Sequence, residues 1–132
     1  MSKVNQPLID TDVWIDFLRG EPQALSFVKQ LPNEVAISSI SVAELYAGVR
    51  DGSESQALSE LLDTLEVIEL NRDIAQIGGL IRRDMGKSHG LGLNDALIAA
   101  TAVHRHACLY TLNIKHYPSL AKNQMQQAYR KA

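Results

Sequence analysis

The sequence predicts an α/β fold with a mainly parallel central sheet. Short β-like runs alternate along the chain with longer segments whose apolar residues recur at helical spacing. The 132 residues, 45% hydrophobic and 21% charged, contain no linker or low-complexity tract. That balance suits one globular unit over residues 1–132, long enough to bury about two-thirds of its unfolded surface.

Each element has a local reason. Pro7 to Asp10 reads as a short strand end, and TDVWIDFLRG then places Val13, Trp14, Phe17 and Leu18 on one helical face. Thr11 is its expected N-cap and Gly20 its stop. Pro22 opens a second helix with Ala24, Phe27, Val28 and Leu31 at i, i+3, i+4 and i+7, which Pro32-Asn33 breaks. EVAISS reads as a second strand, SVAELYAGVR as a helix from Ser41, and DGSES as a turn-rich loop. Leu58, Leu61, Leu62 and Leu65 return to helical spacing, and VIEL is a third strand. Asn71 caps a long helix with the stripe Ile74, Ile77, Leu80, Ile81 and Met85. Its Gly78-Gly79 pair costs roughly 1 kcal/mol per residue against Ala, so close packing is expected there. KSHGLGLN reads as a loop, NDALIAATAVHRHA as a small-residue helix between layers, and CLYT as a fourth strand followed by NIKHYP. The polar, Gln-rich tail from Ser119 to Ala132 offers only Met125 and Tyr129 as bulky anchors. It is expected to fray or to order against a partner.

Composition excludes several classes. A single cysteine, Cys108, rules out an internal disulfide framework and a Cys-rich zinc site. MSKVNQPLID has no signal-peptide core, and the run ALIAATAV is far short of the ~20 residues of a membrane span, so a cytoplasmic location is expected. With 13 Lys+Arg against 15 Asp+Glu, the net charge of −2 excludes a polycation and at first argues against nucleic acid.

In a parallel sheet, ligands bind beyond the carboxyl ends of the strands. Four junctions there carry a metal-capable oxygen: Asp10 ends the first strand, Glu44 and Asp95 fall in first helical turns, and Asn113 follows the fourth strand. Carboxylates about 5 Å apart repel by roughly 3 kcal/mol per pair at an effective dielectric of about 20. A cation, or a proton on one carboxyl, relieves that cost. An all-oxygen set points to Mg²⁺ or Mn²⁺ and to phosphodiester hydrolysis by a metal-activated water. Each residue also has a plain structural reading. Ser41-x-x-Glu44 is a capping box, Asn94-Asp95 an N-cap with a first-turn acid, and Asp10 a turn residue.

The segments LIDTDVWIDFLRG, SSISVAELYAGVR, LGLNDALIAATAVHRHA and LYTLNIKHYP resemble, in order, the motifs of PIN-domain proteins, and more narrowly VapC-type toxins of toxin–antitoxin pairs. The likeness runs from about Leu8 to Pro118. It implies a small three-layer α/β/α domain and a Mg²⁺-dependent endoribonuclease acting on structured RNA. It also implies a homodimer and a cognate antitoxin reaching toward the acidic cleft. By position, Asp10, Glu44 and Asp95 match the family's acidic metal ligands. Asn113 stands where many members carry a fourth acid, which leaves one firm cation position.

Thr11 is expected to touch the scissile phosphate or a ligand carboxylate, its capping role aside. Asp12 and Asp16, one turn apart, read as a solvated face. Lys87, Lys115 and His116 are the expected contacts for flanking phosphates, with Arg82 and Arg83 behind them. His104 and His106 do not make a site. Two other readings remain. Asp10-Thr11-Asp12 fits the start of a haloacid-dehalogenase-like phosphatase, although no paired acids follow the fourth strand. Asn113 favours a non-catalytic PIN-like binding module, against which the intact Asp10, Glu44 and Asp95 tell. Three negatives cancelled by a cation would bring the loaded chain close to neutral, so the charge of −2 does not exclude RNA.

Overall fold

In a computed structural model of the chain, residues 6–32 and 34–131 are described. The expectations for MSKVN, for Asn33 in the Pro32-Asn33 break and for Ala132 lie outside the described residues. The elements run β1 (Pro7–Ile9), α1 (Thr11–Leu18), α2 (Pro22–Lys29), β2 (Ala36–Ser38), α3 (Ser39–Ala47) and α4 (Ser53–Asp63). They continue with β3 (Glu66–Ile68), α5 (Arg72–His89), α6 (Leu93–Arg105), β4 (Cys108–Thr111) and β5 (Met125–Gln127). Short 3₁₀ turns cover Ile114–His116 and Lys122–Gln124.

All five strands are parallel, in the order β3-β2-β1-β4-β5. Successive side chains of a strand point to opposite faces, and here they feed two cores. Leu8, Ala36, Ile68 and Leu109 join Ile74, Ile98 and Ala99 of α5 and α6. Ile9, Ile37 and Tyr110 join Val13, Trp14, Leu45 and Leu58 of α1, α3 and α4. Helices on both faces of one sheet make the expected α/β/α layering. The chain turns from β1 toward β2 and β3 on one side, and its later strands β4 and β5 fill the other. The order therefore reverses between β1 and β4, where open α/β sheets form their binding crevice.

Several boundaries differ from expectation, each for a local reason. Ser38, not Ser41, caps α3: its hydroxyl accepts the Ile40 N–H at 3.0 Å, so the helix starts at Ser39. The proposed Ser41–Glu44 capping box is therefore absent, and Glu44 lies in the second turn. The DGSES loop is shorter, because α4 begins at Ser53. Lys87, Ser88 and His89 belong to α5, which stops at Gly90 with φ 63°. Gly92 rather than Asn94 caps α6. Asn71 caps α5 as expected, accepting from Ile74 N–H at 2.8 Å. On that helix Leu80 is exposed, outside the buried stripe.

The tail departs most. Met125–Gln127 adds a parallel edge strand to β4, with Leu109 opposite Met125. Gln127 Nε2 donates to Leu112 O at 2.8 Å, and the Tyr129 hydroxyl donates to buried Asp16 at 2.8 Å. Side-chain hydrogen bonds hold this segment, which an apolar pattern cannot reveal. Among the described residues, no helix is long and apolar enough to cross a membrane.

Candidate active site

Asp10 leaves β1 at the point where the strand order reverses. Its N–H still pairs with Tyr110 O of β4 at 2.9 Å, while its side chain caps α1 by accepting the Thr11 N–H at 2.7 Å. The other carboxylate oxygen, Oδ2, receives the Thr111 hydroxyl from the end of β4 and the Tyr117 hydroxyl, each at 2.8 Å. Burial chiefly, and then the charge of Asp12, push the Asp10 carboxyl up to about 6, against the pull of these three donors.

Glu44 and Asp95 flank it. The Thr11 hydroxyl lies 2.7 Å from Glu44 Oε1 and 2.7 Å from Ser41 Oγ. A hydroxyl has one proton and a carboxylate can only accept. Thr11 therefore donates to Glu44 and receives from Ser41. Asn94 Nδ2 donates a long bond of 3.4 Å to Glu44 Oε2. Asp95, at the third position of α6, is half-buried. Burial raises its carboxyl first, opposed by the charge of His116, and Glu44 raises it further. The nearby Tyr117 hydroxyl favours its charged form. One chain of hydrogen bonds thus joins Glu44, Thr11, Asp10 and Tyr117, and Asp95 faces it with His116 at its side.

The remaining expected residues divide. Asn113 stands at the same edge but spends both ends of its amide within its own turn. Its Oδ1 accepts the Lys115 N–H at 3.2 Å, and its Nδ2 donates to His116 Nε2 at 3.1 Å. His116 Nδ1 lies 4.0 Å from Asp95 Oδ2. Lys87 and Lys115 are exposed at the ends of α5 and the turn after β4, and their side chains make no contact with the acids among the described residues. Arg83 is committed to Asp84 at 2.8 Å. Asp12 and Asp16 do not form a solvated face. Asp12 accepts the Leu112 N–H at 3.1 Å, and Asp16 is 4% exposed beneath Tyr129 and Lys131.

Sequence reasoning passed over Thr111, Tyr117 and Asn94. Thr111 could have been found from its place at the carboxyl end of a strand. Tyr117, an aromatic residue in a turn, carries no signal that separates it from ordinary core.

The donor chemistry of Asp10, Glu44 and Asp95 fits a divalent cation. All are hard oxygen donors, and burial of Asp10 and Asp95 leaves their charged forms poorly solvated. Among the described residues no three His, Cys, Asp or Glu side chains close tightly enough to form a ready-made metal cage. Fold and site together define an α/β protein with an acidic, cation-ready crevice at the reversal point of its sheet.

Residues 8–117 match the family model described as PIN domain. Ribonuclease VapC19 of Mycobacterium tuberculosis is 43% identical over 115 residues, covering 84% of this chain and 91% of the relative. Ribonuclease VapC10 of the same organism is 38% identical over 114 residues, covering 84% and 85%. Among solved structures, a toxin–antitoxin complex from Klebsiella pneumoniae matches with a TM-score of 0.81 at 28% identity, covering 95% of this chain and 99% of that chain. VapBC2 from Rickettsia felis, bound to a DNA fragment from its promoter, matches with a TM-score of 0.71 at 28% identity, covering 91% and 96%. The chain belongs to the PIN-domain family, among its VapC ribonucleases.

Proposed function

We propose that this chain is the toxin of a toxin–antitoxin pair, a Mg²⁺-dependent endoribonuclease that cleaves structured cellular RNA in the cytoplasm, with Mn²⁺ as an acceptable substitute. The linkage of Asp10 and Glu44 through the backbone N–H and the hydroxyl of Thr11, with the charge of Glu44 also felt at Asp95, carries this reading. It brings together carboxylates from widely separated parts of the chain and leaves their charge uncancelled.

In this reading Asp10, Asp95 and Glu44 hold the cation. Bound Mg²⁺ supplies charge for the scissile phosphate and makes a water more acidic. Glu44 would bind the cation or orient the attacking water through Oε2, since Oε1 is committed to the short bond from Thr11. Thr11 orients Glu44 rather than touching phosphate. Asn113 positions His116, and the exposed His116, Lys87 and Lys115 meet the phosphates on either side of the cut.

The antitoxin and a homodimer complete the proposal. A cavity of about 630 Å³ between α1, α3 and α4 is lined by apolar Ile15, Leu18, Leu45 and Val49 and by charged Arg19, Glu44, Arg50 and Glu54. An antitoxin segment with apolar side chains fits it and would end beside the acids. A Lys or Arg there would pair with them in place of the cation.

The test is a digest of total RNA by purified protein with Mg²⁺ or with EDTA, and induction of the gene in cells. Asp10→Ala and Asp95→Asn are each expected to abolish Mg²⁺-dependent cleavage and growth arrest. Either variant cleaving as fast as the parent would end the assignment.

A further inference from the structure

The hydroxyl of Tyr117 asks for an explanation that packing does not give. Tyr117 is 1% exposed, and its ring belongs to the core shared by β1, β4, α5 and α6. A Phe would fill that space without a buried O–H to satisfy. Here the oxygen is aimed into the acidic group, at 2.8 Å from Asp10 Oδ2. A carboxylate can only accept, so the phenol is the donor in this bond.

A carboxylate has about four acceptor sites in its plane. At Asp10, Oδ2 receives two hydroxyls, from Thr111 and Tyr117, and Oδ1 receives one backbone N–H. The site left open is on Oδ1. We propose that Tyr117 is a positioning residue of the cation site: with Thr111 it closes the Oδ2 side of Asp10 and presents Oδ1 alone to a divalent cation. This deepens the cation reading given above and rests on it. Without the hydroxyl, the Asp10 carboxylate is free to turn about its last torsion, and a cation must pay that ordering cost on binding. Outer hydrogen bonds of this kind typically contribute 10–100-fold in metal affinity.

Calorimetric titration of Mn²⁺ into the RNA-free parent, Tyr117→Phe and Thr111→Val tests the proposal, with circular dichroism in EDTA as the check on folding. Both variants are expected to bind Mn²⁺ about 10–100-fold more weakly than the parent. The Mn²⁺ concentration for half-maximal cleavage of total RNA rises by the same factor, and filter retention of total RNA in EDTA stays unchanged. Equal Mn²⁺ affinity in the parent and Tyr117→Phe overturns the inference, whatever happens to cleavage. Loss of RNA retention at unchanged Mn²⁺ affinity overturns it too, by placing the hydroxyl's effect on RNA. Should Tyr117→Phe fail to fold, Thr111→Val decides by the same criterion. A parent that takes up no Mn²⁺ removes the cation reading itself, a result distinct from two folded proteins binding equally well.

Discussion

Asp10 is 6% exposed, and burial, reinforced by Asp12, lifts its carboxyl from 3.8 to about 6. Between those two values the folded protein keeps a proton that the unfolded chain has already released. Stability of the metal-free protein must therefore fall as pH rises from about 3.8 through about 6, and stay low above that. A difference of this size corresponds to about 3 kcal/mol. Asp10→Asn removes the charge and keeps the shape. The amide oxygen can take the Thr11 N–H, and the amide nitrogen can donate to the hydroxyls of Thr111 and Tyr117, which turn to accept. The variant should be more stable than the parent at pH 7.5 in EDTA, by up to about 3 kcal/mol, and close to it at pH 4. Saturating Mn²⁺ should flatten the parent's pH profile and leave the variant's unchanged. Urea unfolding followed by the fluorescence of Trp14, the sole tryptophan and fully buried, measures this across the pH range. A flat profile for the metal-free parent, or an Asn variant less stable than the parent at pH 7.5, refutes the reasoning.

Gly78 and Gly79 should respond oppositely to Ala. A Cβ at Gly78 would meet Leu97 Cδ2 at 2.6 Å and Leu97 Cα at 3.2 Å, so overpacking of α5 against α6 should cost about 1–3 kcal/mol. At Gly79 nothing lies within 4 Å, and Ala should stabilise by up to about 1 kcal/mol through helix propensity. Urea midpoints of the two variants check this, and equal values would remove the close-packing account. Tyr129→Phe leaves buried Asp16 with Lys131 alone and should cost about 1–3 kcal/mol, read by thermal melts. Hydrogen exchange at Gln127 should accelerate in the same variant, as the edge strand loses its anchor.

The parts of the fold that follow from period and punctuation were legible. Pro22, Asn71 and the run CLYT mark their elements directly, because proline geometry, side-chain capping and β-branching act over a few residues. The start of α3 was not, since Ser38 and Ser41 are equally good caps in isolation. What decides between them is where β2 ends against β1 and β3. The acids were legible for a different reason: Asp10 ends a strand at the edge where a parallel sheet places ligands, and Asp95 stands in the first turn of α6 after a Gly-rich loop. Their connections were not. Tyr117 lies 107 residues from Asp10, and Thr111 lies 101 away, so no local pattern relates them. Asp12 and Asp16 misled because their i, i+4 spacing describes a helix face without saying what covers it. The cover comes from Leu112 and from Tyr129 in the tail.

The partners of Asp16 and Asp84 differ in charge from those of Asp10 and Glu44. Asp16 is closed by the Lys131 ammonium at 3.3 Å, and Asp84 by the Arg83 guanidinium at 2.8 Å. Asp10 and Glu44 receive only neutral donors: a backbone N–H, the hydroxyls of Thr11, Thr111 and Tyr117, and the amide of Asn94. Neutral donors lower the cost of burying a carboxylate without cancelling its charge. A Lys or Arg built into the crevice would have stabilised the metal-free fold more, and would have occupied the charge a cation needs. The chain instead folds with a costly, oriented and uncompensated group of acids at its crevice. The net charge of −2, which first argued against RNA, includes that group. A divalent ion or a partner's cation can each compensate it, and competition between the two is enough to make the site switchable.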